Sequence, residues 1–370
     1  MSNTSSASPL RHVVIGVGAG IFKAHQPALS LPDVRLVAVS DINETIGRAR
    51  AAELGCAFYT DARRMLAETQ PDVAVILTPH PLHAELAIMC MEAGCHVLVE
   101  KPMATQVADA DAMIATAERR QRRLEVVFQQ RFRPEVQAAH RLIQEGRLGR
   151  ILHVEMTVMW LRPNAYYQLA PWRGTWRGEG GGVLLNQAAH NLDLLCYLAG
   201  MPRRVYAWTR TLLHPIAVED TAQAILEWPN GALGSFHVST AESGTPDLLR
   251  IIGTKGSLEL VPHRLQFTSF ETDIEDYIAH ETNPYAPMPE HAEPSVTGTG
   301  SEGHLPVYRS FHDAILRGGP GNADGVQGRR PLELANAMIY SSYTHAEVEF
   351  PLSREGYAEL LTRLMHEESV

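Results

Sequence analysis

Two short stretches carry side chains suited to moving protons on a small molecule. The first is Glu100-Lys101-Pro102, which directly follows the apolar run His96–Val99. An ammonium there can donate hydrogen bonds to a hydroxyl and steady a developing alkoxide. The proline holds Lys101 extended and helps to fix the turn. The second stretch runs from Gly180-Gly181-Gly182 through Asn186, His190 and Asp193. Three glycines allow close backbone approach. The spacing predicts a helix after them, with Asn186 and His190, four apart, on one face and Asp193 near it. Imidazole titrates near neutral pH, so His190 is the natural general base. Asp193 either joins the site or only supports the helix. The plainer alternatives are a surface Lys-Pro loop and a helix histidine bonded to its own chain.

A third constellation is a glycine cluster, Gly16-Val17-Gly18-Ala19-Gly20, reached from the apolar strand His12–Gly16. Glycines at such a strand-to-helix turn let backbone N–H groups approach a pyrophosphate. A second strand ends in Asp41, 25 residues after Gly16, near the offset of the acid that binds an adenine ribose. A carboxylate there accepts from the 2′- and 3′-hydroxyls and repels a 2′-phosphate. NAD is therefore favoured, and Arg48 and Arg50 keep NADP as an alternative. Ordinary turn glycines and a helix-capping Asp41 are the bland reading. Thr78-Pro79-His80 ends the run Val73–Leu77, where Thr78 and Pro79 would flank a nicotinamide. His83 either joins them or simply starts a helix, and Glu100 orients Lys101 or the nicotinamide ribose. Before the second glycine group lie Tyr166-Tyr167 and Trp172-Arg173-Gly174. Rings stack on sugar faces and guanidinium grips anions, so Tyr167 and Arg173 are the expected substrate contacts; the alternative is a surface loop with packed tryptophans.

The elements that must position these groups divide into two styles. Up to Leu124–Phe128, short Val/Ile/Leu runs alternate with helical patterns, which predicts a doubly wound parallel sheet covered on both faces. From Gln129 one helix, Pro134–Glu145, is followed by successive strands: Arg150–Trp160, Ala222–Trp228, Ala232–Ser239, Leu248–Ile252, Ser257–Val261 and Arg264–Thr268. Asn230-Gly231 makes a hairpin turn. This predicts an open α+β sheet. Asp273–Gly300 reads as a long loop near the site or an oligomer contact, and Pro331–Glu347 as a late helix. The apolar Leu152/Met156/Trp160 face fits either a subunit contact or burial under the chain's own helices.

The 370 residues favour two domains. A net charge of -10, from 42 acidic and 32 basic residues, argues against a nucleic-acid surface. Cys56, Cys90, Cys95 and Cys196 form no Cys-x-x-Cys pair, so free thiols in a reducing compartment and no metal site are expected. No apolar run reaches a membrane span, and the Ser-rich start lacks a secretion signal; a cytoplasmic protein follows.

Together these pieces resemble the Gfo/Idh/MocA oxidoreductases. The resemblance rests on GVGAGIFKAH (Gly16–His25), Asp41, LTPHPLH (Leu77–His83), GCHVLVEKP (Gly94–Pro102), QQRF (Gln129–Phe132), GRLGRI (Gly146–Ile151), GGGVLLNQAAHNLDLL (Gly180–Leu195) and NGALGS (Asn230–Ser235). It implies an N-terminal Rossmann domain, residues 1–128, and a C-terminal α+β domain, residues 129–370, with a large, mainly antiparallel sheet. The cofactor site would include Gly16, Gly18, Ala19, Asp41, Thr78, Pro79, His83, Glu100, Lys101 and Gln129. The implied activity is hydride transfer between NAD(P) and a secondary hydroxyl of a sugar, sugar derivative or cyclitol, such as C3 of a pyranose. His190 would be the base, Lys101 the hydroxyl binder and relay partner, and Asn186 the substrate ligand beside it. A homodimer or homotetramer is implied, with no nucleic-acid or membrane partner. Two other outcomes share the same site: a redox-neutral glycosidase that oxidises C3 transiently, and a non-catalytic NAD- or ligand-sensing protein. Two departures stand out. The third glycine of the common pattern is replaced by Ile21, with His25 nine residues after Gly16, as if one residue were inserted. Asn186 stands where many members carry Asp, which shifts proton transfer toward His190 and Lys101.

Overall fold

A computed structural model describes residues 8–298 and 303–368. The chain forms two compact units, one of residues 8–129 with 303–332 and the other of 130–298 with 333–368.

The first unit is built on six parallel strands: β1 (Leu10–Ile15), β2 (Val34–Ser40), β3 (Ala57–Tyr59), β4 (Val73–Ile76), β5 (His96–Val99) and β6 (Leu124–Val126). Their order is β3-β2-β1-β4-β5-β6, the doubly wound arrangement whose order reverses beside the first strand. The central strands are runs of β-branched and Leu residues because both faces are covered; all of β4 is buried. Each such side chain contributes about 1.5–3 kcal/mol by leaving water. Ile15 pairs with Ser40 and Ile76, and Ile76 with Val99. That register lines up Gly16, Asp41, Leu77 and Glu100 just past the carboxyl ends of four strands.

One local difference from the predicted pattern is the element after the glycines. The sequence pattern predicts a helix over Ala24–Leu31; a four-residue helix, Phe22–His25, instead passes into a 3₁₀ turn, Gln26–Ser30. Pro27 cannot donate in a longer helix. Residues 303–332 add the helix Leu305–Arg317 and the start of the helix Gly325–Thr344. Val126 N–H bonds the carbonyl of Ala323 at 2.9 Å, extending the edge of β6.

The second unit carries a ten-stranded sheet of β7 (Ile151–Met159), β8 (Arg204–Arg210), β9 (Thr221–Glu227), β10 (Leu233–Ser239), β11 (Leu248–Gly253), β12 (Gly256–Val261), β13 (Arg264–Phe270), β14 (Glu290–Ala292), β15 (Val296–Thr297) and β16 (Val348–Glu349). The path is β14-β13-β12-β11-β7-β10-β9-β8-β16, with β15 also on β13. Among the described strands of this sheet, only β7 and β10 run parallel; the other pairs are antiparallel. Val154, Met156 and Val158 of β7 are buried and face the helix Ala189–Ala199, which lies on this strand. The chain's own helix thus covers Met156 of the apolar face, while Leu152 and Trp160 are half-buried.

The stretch predicted as a loop from Asp273 contains a helix, Ile274–His280, capped by the Asp273 carboxylate, which accepts from Glu275 N–H at 2.9 Å. It also contains β14 and β15, which pair with β13; residues 299 and 300 lie outside the described part. The late helix begins at Gly325 rather than Pro331, and Pro331 sits inside it. All four cysteines are free, and burial pushes the Cys95 thiol up to about 12. Among the described residues, no helix is long and apolar enough to cross a membrane.

Candidate active site

In the first unit the glycine turn is tightly determined. Gly16 has φ +92°, and a Cβ there would lie 3.0 Å from the backbone of Leu77 and Thr78. Only glycine combines that left-handed backbone with that approach. A Cβ on Gly18 would lie 2.9 Å from the Asp41 carboxylate, which instead accepts Gly18 N–H at 2.7 Å. The other Asp41 oxygen accepts Asn43 N–H at 2.8 Å. A carboxylate has about four acceptor positions, so Asp41 can brace the loop and still receive ribose hydroxyls. Gly20 faces open space: a Cβ on it would meet nothing within 4 Å among the described residues. Local packing therefore does not require glycine at this position. Arg48 is bonded to Glu44 at 2.8 Å and Arg50 to Glu53 at 2.7 Å. Their guanidinium groups lie over Phe58 and Phe22.

Past β4, the buried Thr78 hydroxyl finds no partner among the described residues. An orphaned hydroxyl at the carboxyl edge of the sheet suits a polar ligand. His83 is fully buried, with Nε2 2.7 Å from the Thr78 carbonyl and Nδ1 2.8 Å from the Pro102 carbonyl. It ties the turn after β4 to the turn that bears Lys101. Lys101 is half-buried and joined to Pro102 by a cis peptide bond. Its backbone N–H donates to Glu100 at 3.0 Å. Pro79 lies in the turn after Thr78, Ala19 between Gly18 and Gly20, and the half-buried Gln129 opens the 3₁₀ turn Gln129–Phe132.

In the second unit, Asn186 lies in a turn rather than on the predicted helix, which starts at Ala189. Just before the helix, Ala188 N–H bonds the Val183 carbonyl five residues back, and the start of the turn is held by Glu219. Its carboxylate accepts Gly182 N–H at 2.9 Å and Leu184 N–H at 3.1 Å, and its carbonyl accepts Val183 N–H at 2.9 Å. A Cβ on Gly182 would come within 1.9 Å of that carbonyl oxygen, so glycine is required for this approach. Burial pushes the Glu219 carboxyl up to about 7, against the pull of the amides that donate to it.

His190 is the second residue of the helix and is 8% exposed. One turn on, Asp193 is fully buried and takes two bonds from Arg131: Nε to Oδ2 at 2.9 Å and Nη2 to Oδ1 at 2.6 Å. Arg131 also lies 4.5 Å from the Tyr197 ring. Asp193 therefore anchors the helix that carries His190.

The two adjacent tyrosines have different surroundings. Tyr167 bonds Thr240 at 2.8 Å and its ring leans on His214; burial pushes its phenol up to about 12. The Tyr166 oxygen accepts from Arg173 at 2.6 Å, Gln187 at 3.2 Å and Asn186 at 3.5 Å. Arg173 lies over both Tyr166 and Trp172. The Asn186 amide also donates to Glu179, which in turn accepts Gly174 N–H at 2.5 Å. Arg173 and Asn186, singled out in the sequence, are thus joined through Tyr166, Glu179 and Gln187, which were not. A carboxylate directly before the three glycines was the available signal for Glu179. Arg131 lies in the quoted QQRF motif, and Glu219 precedes β9 without a local signature.

The comparisons agree with this architecture. Residues 10–128 match a family model described as "Oxidoreductase family, NAD-binding Rossmann fold", and residues 136–259 match the GFO/IDH/MocA C-terminal domain. The WlbA dehydrogenase from Bordetella pertussis, solved with NADH and UDP-GlcNAcA, is 30% identical; the alignment covers 94% of this chain and 99% of that one, with a TM-score of 0.80. Levoglucosan dehydrogenase from Pseudarthrobacter phenanthrenivorans is 28% identical over 362 residues, covering 88% of this chain and 91% of its own. D-glucoside 3-dehydrogenase from Escherichia coli is 32% identical over 207 residues, covering 55% of this chain and 57% of its own. The chain belongs to the GFO/IDH/MocA family of oxidoreductases. It is an NAD(P)-dependent dehydrogenase acting on CH–OH groups.

Proposed function

We propose that the chain transfers hydride between NAD and a ring secondary alcohol of a sugar, sugar derivative or cyclitol, with C3 of a pyranose as the leading position. The observation that carries this reading is the polar cluster of Tyr166, Arg173, Glu179, Asn186 and Gln187, joined by hydrogen bonds next to the helix that bears His190. Such a set of alternating donors and acceptors suits a polyhydroxylated ring. Relatives that act on levoglucosan and D-glucosides support the substrate class.

In this reading Gly16, Gly18 and Ala19 hold the pyrophosphate, and Asp41 holds the adenine ribose and disfavours a 2′-phosphate. Thr78, Pro79, His83, Glu100 and Gln129 surround or brace the nicotinamide end. Bound nicotinamide supplies a hydride acceptor. His190 takes the hydroxyl proton, and Lys101 donates to the substrate oxygen as charge develops on it. Asn186, whose amide hydrogens are directed at Glu179 and Tyr166, offers its carbonyl oxygen to a neighbouring hydroxyl. Glu179 supplies a carboxylate beside Asn186, where many family members carry Asp. Tyr166 and Arg173 contact the ring or a charged substituent on it, and Tyr167 backs them. The enzyme acts as a cytoplasmic homodimer or homotetramer.

The test is NADH formation across a panel of sugars, uronates, methyl glycosides and inositols. Stoichiometric NADH with a 3-keto product supports the reading. Steady glycoside cleavage without accumulating NADH replaces it with the redox-neutral glycosidase. Tight NAD binding with no turnover on any member of the panel replaces it with a sensor.

A further inference from the structure

Behind the lysine turn, Glu100 is held by a buried cluster whose other members, His25, His304 and Tyr308, have no role in the reading above. His25 ends the short helix after the glycines and is fully buried. Its Nδ1 lies 2.9 Å from the Tyr308 hydroxyl and its Nε2 2.9 Å from Glu100 Oε1. The second Glu100 oxygen accepts the backbone N–H of Lys101 at 3.0 Å. His304 Nε2 lies 3.3 Å from Glu100 Oε1, and its ring leans on that of His25 at 4.3 Å. His304 and Tyr308 come from the start of the helix Leu305–Arg317.

The protonation states follow from burial. Burial lowers the His25 imidazole, the contact with Glu100 only partly opposing it, so the ring is neutral. A neutral ring has one donor and one acceptor. With Glu100 ionised, Nε2–H donates to it and Nδ1 accepts from the Tyr308 O–H. Burial alone would favour a neutral Glu100, but the bond from His25 and the nearby His304 ring hold its carboxyl well below the usual range. The chain of donors therefore runs one way, Tyr308 to His25 to Glu100, and ends on a carboxylate that also grips Lys101. On its far side the same turn is held by His83 at the Pro102 carbonyl.

We propose that His25 and Tyr308 are positioning residues for Lys101: with Glu100 they form a directed hydrogen-bond chain that sets how the lysine turn presents its ammonium to substrate. This rests on the reading of Lys101 as the group that meets the substrate oxygen. The three ligand atoms of His25, Glu100 and His304 lie within 4.8 Å of one another, a spacing a divalent cation could also bridge. The hydrogen-bond chain is the simpler account, because it uses both nitrogens of His25 and both oxygens of Glu100.

The experiment compares steady-state kinetics, NAD affinity, Tm and bound metal for wild type, Tyr308→Phe, His25→Leu, His25→Gln and Lys101→Ala, on a substrate found by the panel. Loss of the hydroxyl in Tyr308→Phe should lower kcat about tenfold, and His25→Leu about a hundredfold. KM and the NAD Kd should stay within about twofold. His25→Gln keeps a donor toward Glu100 and should recover most of the loss, a rescue that a merely structural role would not give. Unchanged kcat in Tyr308→Phe and His25→Leu, with Lys101→Ala inactive, overturns the inference alone. Full activity in Lys101→Ala overturns the reading of Lys101 and the inference with it. Stoichiometric metal in wild type that is lost in His25→Leu, with activity lost to a chelator, replaces the hydrogen-bond chain by a metal site.

Discussion

Replacing Asp193 by leucine removes a carboxylate that is 0% exposed and leaves the Arg131 guanidinium, 2% exposed, without its counter-charge. Both bonds between them have near-ideal lengths, 2.9 and 2.6 Å, and almost no solvent is present to screen the charge that remains. Breaking a buried pair on one side costs about 3–5 kcal/mol. Removing both sides with apolar groups of similar volume is close to neutral. Asp193→Leu should therefore destabilise the second unit by about 3–5 kcal/mol, and the double variant Arg131→Met/Asp193→Leu should recover most of that loss. All five tryptophans, Trp160, Trp172, Trp176, Trp208 and Trp228, lie in the second unit. Urea unfolding followed by tryptophan fluorescence thus reports on the unit that holds the pair. His190 is three residues before Asp193 on the same helix, so kcat should fall in the single variant while NAD affinity is kept. A single variant within about 1 kcal/mol of wild type, or a double variant no more stable than the single, would refute the anchoring role.

Three further outcomes follow from the same geometry. Asp41→Ala should weaken NAD about 10–100-fold, the worth of hydrogen bonds to a charged acceptor, and narrow the preference over NADP; fluorescence titration with both nucleotides checks it. Glu219 fits the fold as a neutral acid, its carboxyl raised from 4.5 to about 7. Its contribution to stability is therefore full below about 4.5 and is lost as pH rises through about 7, a change of on the order of 3 kcal/mol. Glu219→Gln should gain on wild type in urea midpoint at pH 8 and not at pH 4; an equal difference at both values contradicts this. Tyr166→Phe should lower kcat/KM about tenfold by leaving the donors of Arg173 and Gln187 without their acceptor, whereas Tyr167→Phe should act mainly on stability; kinetics and melting curves on the two variants separate these effects.

The parallel sheet is legible because its strands are continuous apolar runs, a pattern set by local chemistry. β8 is not, because its large rings point outward. Tyr206 and Trp208 sit on the open face of the sheet while Val205, Ala207 and Thr209 are buried, so the hydrophobic alternation runs against side-chain size. β14 and β15 are held by backbone pairing to β13 with every residue exposed, and leave no hydrophobic pattern to read. Residues 303–332 join the first unit through contacts far along the chain, such as Tyr308 with His25. In the site, the spacing of Asn186 and His190 was visible, but the turn that precedes Ala189 is held at its start by Glu219, more than thirty residues away. Two adjacent tyrosines on a single helical turn point about 100° apart. Which of them meets Arg173 is decided by the path of the loop, not by composition.

Isotope transfer tests the central claim most directly. A substrate deuterated at the reacting carbinol carbon is turned over with NAD by wild type, Lys101→Ala and His190→Ala, and the nicotinamide product is examined by mass spectrometry. Wild type should yield singly deuterated NADH. Both variants should bind NAD normally yet form it at least about a hundred times more slowly. NADH without deuterium, or undiminished transfer in either variant, would contradict the account.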